Sequence, residues 1–408
     1  MKKKILATLK DKTIGELLEI GAGTEFRYFT DNLKDSISIS MPTSHLTYRR
    51  HTGLIPFFDM FIPEGFLFEY LKEIIHKKEG KINDFIVLWY LAEGVKTKAK
   101  LKGREIEVKE TQKHITMEEL EKNDSRDMFF KLLKMFIDKN AISGIQPKSL
   151  AVVKNKAQLP GDEYIVKTSG EMYPNLTEVE YFCLKVAKKS GLETPEFRLS
   201  KNKNFLIIKK FDKEGLFFEE VGSLLGKTRL DKYTGSYEQI AKIIKKYARD
   251  VSADLRSYFK MIVINTLIRN GDAHLKNFGL LFNEDFSYIR LSPAYDLICT
   301  SIYIKDDKPA LTINGKHKWL TKKEMIKFGK EVCLLSEEEI RDSIDRCINT
   351  IELTNREVQD YIKENTDFTD TGSRMIEIWD KALLEFENKK MVRITKRRNN
   401  NDGHRFHR

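Results

Sequence analysis

Arg269-Asn270-Gly271-Asp272-Ala273-His274-Leu275-Lys276-Asn277-Phe278 is the stretch on which the reading of this 408-residue chain turns. It follows an apolar segment, Leu255 to Ile268, and precedes the strand-like Gly279-Leu280-Leu281-Phe282. Within it a carboxylate, Asp272, and an amide, Asn277, stand five positions apart. Phosphoryl transfer from ATP asks little covalent chemistry of a protein. It needs a carboxylate that orients the acceptor hydroxyl and takes its proton, and oxygen ligands that hold Mg2+ on the phosphates. A loop of the form D-x-x-x-x-N supplies both from one turn, because Mg2+ prefers carboxylate, amide carbonyl and water oxygens. Asp272 is therefore the candidate catalytic base and Asn277 a candidate metal ligand.

Downstream, Ser292-Pro293-Ala294-Tyr295-Asp296-Leu297 brings a second carboxylate. Gly279 to Arg290 reads as a hairpin, which returns Asp296 to the side of Asn277 as the second metal ligand, the part played by the D-F-G aspartate of kinases. Tyr295, next to it, is counted with the nucleotide-contacting residues. Upstream, Lys167 ends the apolar strand Tyr164-Ile165-Val166-Lys167. It can reach the α and β phosphates if a helix carboxylate orients it, and Glu180, or failing that Glu178, is placed to do so. The turn Ser143-Gly144-Ile145-Gln146-Pro147-Lys148 offers backbone N–H groups and a lysine to cover the phosphates. Each signal alone has a plainer reading. D-x-x-x-x-N arises by chance, a strand lysine is usually solvated, Asp296 suits a turn, and His274 can simply pack in a loop. Their order along the chain, each on the expected element, selects phosphoryl transfer.

The remaining sequence supplies the frame. Ser36 to Pro42 alternates at period two, as a half-buried strand does. Ile55 to Gly65 reads as a packed aromatic loop leading into a helix over Phe66 to Lys78. Phe129, Leu132, Leu133, Phe136 and Ile137 make one face of a helix over Asp127 to Lys139. Strands are expected over Ser149 to Asn155, Glu163 to Ser169 and Asn204 to Asp212, with a helix from Glu178 to Ser190 ended by Gly191. That order implies a mostly antiparallel sheet with one helix on it. Leu255 to Ile268, apolar almost all round, is expected to be a buried helix, and Met375 to Phe386 an amphipathic one. The predicted class is α+β, a two-lobed protein-kinase-like fold. Its mixed α+β N-lobe has two subdomains, 1–125 and 126–213, and its all-helical C-lobe spans 214–390. A basic tail, 391–408, is expected to be disordered.

Composition fits a globular protein: 41% hydrophobic and 33% charged residues. No apolar run approaches the roughly 18–20 residues of a spanning helix. The apolar stretch Ile5 to Leu9 is too short for a signal peptide. A cytoplasmic location is expected, or export by a route that leaves no such mark. Cys183, Cys299, Cys333 and Cys347 form no C-x-x-C pair and are read as small buried hydrophobes in a reducing compartment. Net charge is +11, but Lys389 to Arg408 holds eight Lys or Arg against one acid, leaving only +4 for the preceding chain. Direct nucleic-acid binding is therefore not expected except through that tail.

Taken together, ISGIQPKSL, YIVK, VEYFCLKVAKKSGLETP, IIKKFD, INTLIRNGDAHLKNFGLLF and LSPAYDL resemble the HipA-like kinases, the toxin half of HipBA-type toxin–antitoxin pairs. YRRHTGLIPFFDMFIPEG resembles the family's first subdomain. The resemblance implies an ATP- and Mg2+-dependent serine/threonine protein kinase. Asp272 would be its base, Asn277 and Asp296 its Mg2+ ligands, and Lys167 a phosphate contact. Ser143 to Lys148 would be a phosphate-covering loop that can swing out. Lys209, Lys210 and Phe211 would form the hinge that meets adenine through backbone groups, and His274 and Lys276 would line the nucleotide side of the catalytic loop. It also implies a protein target such as an aminoacyl-tRNA synthetase and a HipB-like DNA-binding antitoxin. Two departures stand out. The family's Glu-Arg-Phe-Asp hinge is Lys209-Lys210-Phe211-Asp212 here, so any contact from the acid is lost. The serine that some members autophosphorylate, two residues before Ser143, is Ala141 here, which leaves Ser143 as the candidate. The alternatives carried are a small-molecule phosphotransferase and a non-catalytic, DNA-associated binding protein.

Overall fold

A computed structural model describes residues 3–104, 115–139, 157–160, 164–212 and 215–387. Strands β1 (Lys4–Leu9), β2 (Lys12–Ile20), β3 (Gly23–Tyr28), β4 (Thr47–Arg50) and β5 (Lys100–Lys102) make an antiparallel sheet in the order β4-β3-β2-β1-β5. One face buries Ile5, Ala7, Leu17 and Phe26 against helices Pro56–Asp59, Gly65–Glu79 and Asp84–Leu91. The same core takes Met128, Phe129, Leu133 and Ile137 from helix Arg126–Lys139.

A second antiparallel sheet, in the order β6-β7-β9-β8, holds β6 (Ala157–Pro160), β7 (Tyr164–Thr168), β8 (Phe197–Leu199) and β9 (Phe205–Lys209). Strand side chains alternate between faces. Phe205 and Ile207 therefore enter the first core, while Leu206 and Ile208 enter a second core with Val179, Phe182 and Val186 of helix Leu176–Lys189. Burial on both faces explains why β9 reads as an unbroken apolar run.

That second core continues into helices Tyr237–Tyr247, Val251–Leu267, Lys322–Glu331, Glu337–Glu364 and Thr369–Phe386. Val251–Leu267 lies at the centre, as its all-round apolarity predicts. The four cysteines are buried and unpaired. This half was expected to be all helical, but it also carries a small antiparallel sheet, β10 (Leu216–Glu220), β11 (Gly279–Asn283) and β12 (Ile289–Leu291). Its β11–β12 hairpin is the one read from sequence after Asn277. Among the described residues no helix is long and apolar enough to cross a membrane.

Two expectations need correction. Ser36 to Pro42 is not a strand but a bent, buried segment. Its donors turn elsewhere: Ile37 N–H to the Tyr28 hydroxyl at 2.9 Å, and Ile39 and Ser40 N–H to the Glu219 carboxylate at 2.9 and 3.2 Å. The loop over Ile55 to Gly65 contains the short helix Pro56–Asp59, which Pro56 opens at the first position, where its missing N–H costs nothing. The strand expected over Ser149 to Asn155 and the basic tail lie outside the described residues.

Glu219 is fully buried and joins the two halves, accepting also from the hydroxyls of Ser40 and, at 2.8 Å, Ser223. Glu219→Ala strands these donors. It is expected to lower stability by about 3 kcal/mol, because unsatisfied buried donors cost roughly 1–3 kcal/mol each and relax only in part. An unchanged urea midpoint would show that water replaces the carboxylate.

Candidate active site

β7 and helix Leu176–Lys189 place Lys167 and Glu180 side by side. Lys167 Nζ lies 2.6 Å from Glu180 Oε1 and 2.6 Å from Asp296 Oδ1. The side chains of Lys167 and Glu180 are 14% and 5% exposed, and that of Asp296 is 40% exposed. Burial opposes the charge on Lys167, but the carboxylates of Asp296 and Glu180 outweigh it and hold the ammonium above the usual lysine range. Glu178 instead meets the Tyr361 hydroxyl at 2.8 Å and Asn175 at 2.9 Å, which leaves Glu180 as the lysine's partner on this helix. Asn277 Nδ2 donates to Asp296 Oδ2, and Asn277 Oδ1 accepts from the His274 N–H at 2.8 Å. Asp296 has φ +57°, a left-handed conformation that is rare outside glycine and concentrates at functional sites.

The loop that carries Asp272 and Asn277 is fixed from behind. Helix Val251–Leu267 gives way at Arg269, whose φ of +57° turns the chain. Asn265, a buried amide in that helix, accepts from Asn270 Nδ2 at 2.8 Å, and Asn270 Oδ1 accepts from the Asp272 N–H at 3.1 Å. Gly271 lies so close to Asp307 that a Cβ would fall 2.1 Å from its carboxylate oxygen, so a larger residue there would have to displace that side chain. The hairpin is hung on the same helix. Buried Asp254 accepts from Arg290 Nε at 2.8 Å and from the Leu291 N–H at 3.0 Å. This tether carries the chain back, through Pro293, to set Asp296 against Asn277.

Asp272 Oδ1 accepts from the Tyr233 hydroxyl at 2.8 Å. His274 is buried, with its ring edge-on to Tyr233 at 5.2 Å. Burial pulls its pKa below the ordinary value, which favours the neutral imidazole. Lys276 Nζ sits 2.8 Å from Glu64 Oε1 and 3.7 Å from Glu220 Oε1. Tyr295 donates to the Lys276 carbonyl, and its ring meets Phe211 at 5.3 Å, connecting the expected hinge to the loop that carries Asp272. Lys209 is exposed, while Lys210 and Phe211 are half-buried. Ser143, Gly144, Ile145, Gln146, Pro147 and Lys148 lie outside the described residues.

Glu220 gives a pH signature. Burial pushes its carboxyl up to about 7, more than Lys276, already engaged by Glu64, can pull it down. The native state therefore binds this proton more tightly than the unfolded chain does. Its contribution is fully present below about pH 4.5 and is lost as pH rises towards 7. Glu220→Gln is expected to flatten that decline in melting temperatures measured between pH 5 and 8. Parallel curves for both proteins would contradict it.

Tyr233, Glu64, Glu220 and Asn265 were not singled out in the sequence. Only Asn265 carried a signal, as a lone amide in an apolar helix. Among the described residues no group of three or more His, Cys, Asp or Glu side chains forms a metal centre. Asn277 turns its Nδ2 to Asp296 and its Oδ1 to the His274 N–H, and once that amide turns over, a carboxylate and an amide oxygen stand at one point. That is the donor chemistry of a hard cation whose other positions go to phosphate and water, so the residues fit Mg2+ with a nucleotide.

The C-terminal part of the chain matches the HipA-like C-terminal domain over residues 140–354, and the start matches the HipA N-terminal domain over residues 5–95. The chain is 27% identical over 323 residues to Y4dM of Sinorhizobium fredii (strain NBRC 101917 / NGR234), a protein whose name marks it as an inferred kinase; the match covers 71% of this chain and 75% of that one. A Haemophilus influenzae protein of the same designation is 31% identical over 185 residues, 40% of this chain and 53% of its own length. Among solved structures, HipA of Shewanella oneidensis MR-1, determined with HipB and its operator DNA, superposes with a TM-score of 0.65 at 17% identity, over 95% of this chain and 100% of that one. At that identity the likeness is one of fold. Since the C-terminal match alone spans more than half of the 408 residues, the chain belongs to the HipA-like family.

Proposed function

We propose that this protein is an ATP- and Mg2+-dependent serine/threonine protein kinase of HipA type. The observation that carries the reading is the junction of Lys167, Glu180, Asp296 and Asn277 beside the loop bearing Asp272. When bound, Mg2+–ATP would supply the phosphoryl group and neutralise the charge that develops on it. Asn277 and Asp296 would hold the metal. Lys167, kept charged and aimed by Glu180, would meet the phosphates. Asp272 would orient the acceptor hydroxyl and take its proton. Phe211, Tyr295, His274 and Lys276 would frame the nucleotide, with Lys209 and Lys210 at the hinge. Ser143 to Lys148 would cover the phosphates, with Ser143 the site of self-modification.

The acceptor we favour is a protein of translation, such as an aminoacyl-tRNA synthetase, in keeping with the family resemblance. A HipB-like DNA-binding antitoxin is the proposed partner, since the Shewanella HipA was solved with HipB and operator DNA. The test is a phosphosite survey of cells expressing the wild type beside Asp272→Ala, with transfer of labelled phosphate in a lysate. Label on protein, lost in the variant, supports the kinase. Label on a metabolite points to a small-molecule phosphotransferase. Equal growth inhibition by both proteins, with no label, points to a binding protein.

A further inference from the structure

We propose that Tyr233 is a tethered occupant of the acceptor position: its hydroxyl sits on Asp272 where the hydroxyl of an incoming substrate must sit, so Tyr233 has to leave before phosphate is transferred. The inference rests on the kinase reading of Asp272. A general base must lie within about 2.6–3.2 Å of the oxygen whose proton it takes, and the Tyr233 hydroxyl meets that condition at 2.8 Å. Burial and the neighbouring Asp272 carboxylate both keep the phenol protonated, so it acts as a donor, as an acceptor substrate would.

The backbone beneath this tyrosine is held from both sides. Arg229 pairs with Asp59 and with Asp84 of the N-terminal part, the latter at 2.7 Å. Lys232 pairs with Glu64, and its carbonyl accepts from the Leu275 N–H of the catalytic loop at 3.1 Å. Tyr233 is 49% exposed, and its ring leans edge-on against His274 with Lys232 Nζ 5.2 Å from its centroid. A side chain with one strong bond, a fixed base and an open flank can rotate out without disturbing the loop. The exchange is nearly balanced in energy, because one O–H···carboxylate bond replaces another. A correct substrate therefore displaces Tyr233 readily, whereas water, which gains nothing else at the site, does so poorly.

The experiment uses water as the acceptor: ATP hydrolysis by the full-length wild type, Tyr233→Phe and Tyr233→Phe/Asp272→Asn. Loss of one hydroxyl leaves the ring packing intact. Tyr233→Phe is expected to hydrolyse ATP about 5–10-fold faster, the equivalent of one hydrogen bond of about 1–1.5 kcal/mol, and the Asp272→Asn change is expected to remove the gain. His274, Lys232, Asp296 and Glu64 surround this cluster and are unchanged in the variant. Turnover in the wild type with an equal or slower rate in Tyr233→Phe overturns the inference and leaves the kinase reading standing. No turnover in either protein removes both.

Discussion

Asp272→Ala is expected to lower phosphate transfer by roughly 10²–10⁴-fold, the usual contribution of a positioned general base, while the protein stays folded. The two effects separate because of where Asp272 sits. Its side chain is half-buried, not in either core. Its structural duty in the loop runs through the backbone, whose N–H is held by Asn270 and whose carbonyl accepts from the His274 N–H at 2.8 Å. Both survive truncation of the side chain. The loss of the Tyr233 hydrogen bond should lower the unfolding free energy read from urea titration by no more than about 1 kcal/mol. Growth inhibition should disappear with the transfer activity. A variant that transfers phosphate at the wild-type rate, or inhibits growth as well, would remove Asp272 from the mechanism. Asp272→Asn serves as the isosteric control, since its amide oxygen can still accept from Tyr233 but its group cannot take a proton.

The placement of the loop from Arg269 to Phe278 and its surroundings was legible because their signals are local. A turn after a buried helix, an Asp and an Asn at fixed spacing, and a hairpin of predictable length leave little freedom in where Asp296 can return. Lys167 and Glu180 were legible for the same reason: a strand end and the next helix face. What stayed hidden is long-range. Glu64 reaches Lys276 across 212 positions and Glu219 reaches Ile39 across 180. Nothing in the local sequence of either acid points to its partner. Ser36 to Pro42 shows the same limit in reverse. Its alternation suits a strand, but a distant carboxylate and a tyrosine hydroxyl take the N–H groups that a neighbouring strand would need. Tyr233 lies in a polar connector without periodicity, and only the fold brings it to Asp272.

Lys167→Met should produce the largest loss of stability in the site. It removes the cation between Glu180 and Asp296 and leaves two carboxylates facing each other, one of them almost fully buried. Breaking a buried ion pair at one end costs roughly 3–5 kcal/mol, mostly because the remaining charge stays desolvated. Asp296 is part-exposed and can turn towards water, so a value near the lower end, about 3 kcal/mol, is expected. The second substitution decides how the loss is read. In Lys167→Met/Glu180→Leu no uncompensated charge remains in the buried half of the cluster, and replacing a buried pair by apolar groups is often close to neutral. The double variant should therefore regain most of the stability without regaining any phosphate transfer, with a coupling energy of about 1–3 kcal/mol between the two sites in a double-mutant cycle. Additive losses would mean that Glu180 is held by something other than the lysine. Recovered transfer in the double variant would mean that the ammonium serves the fold and not the nucleotide.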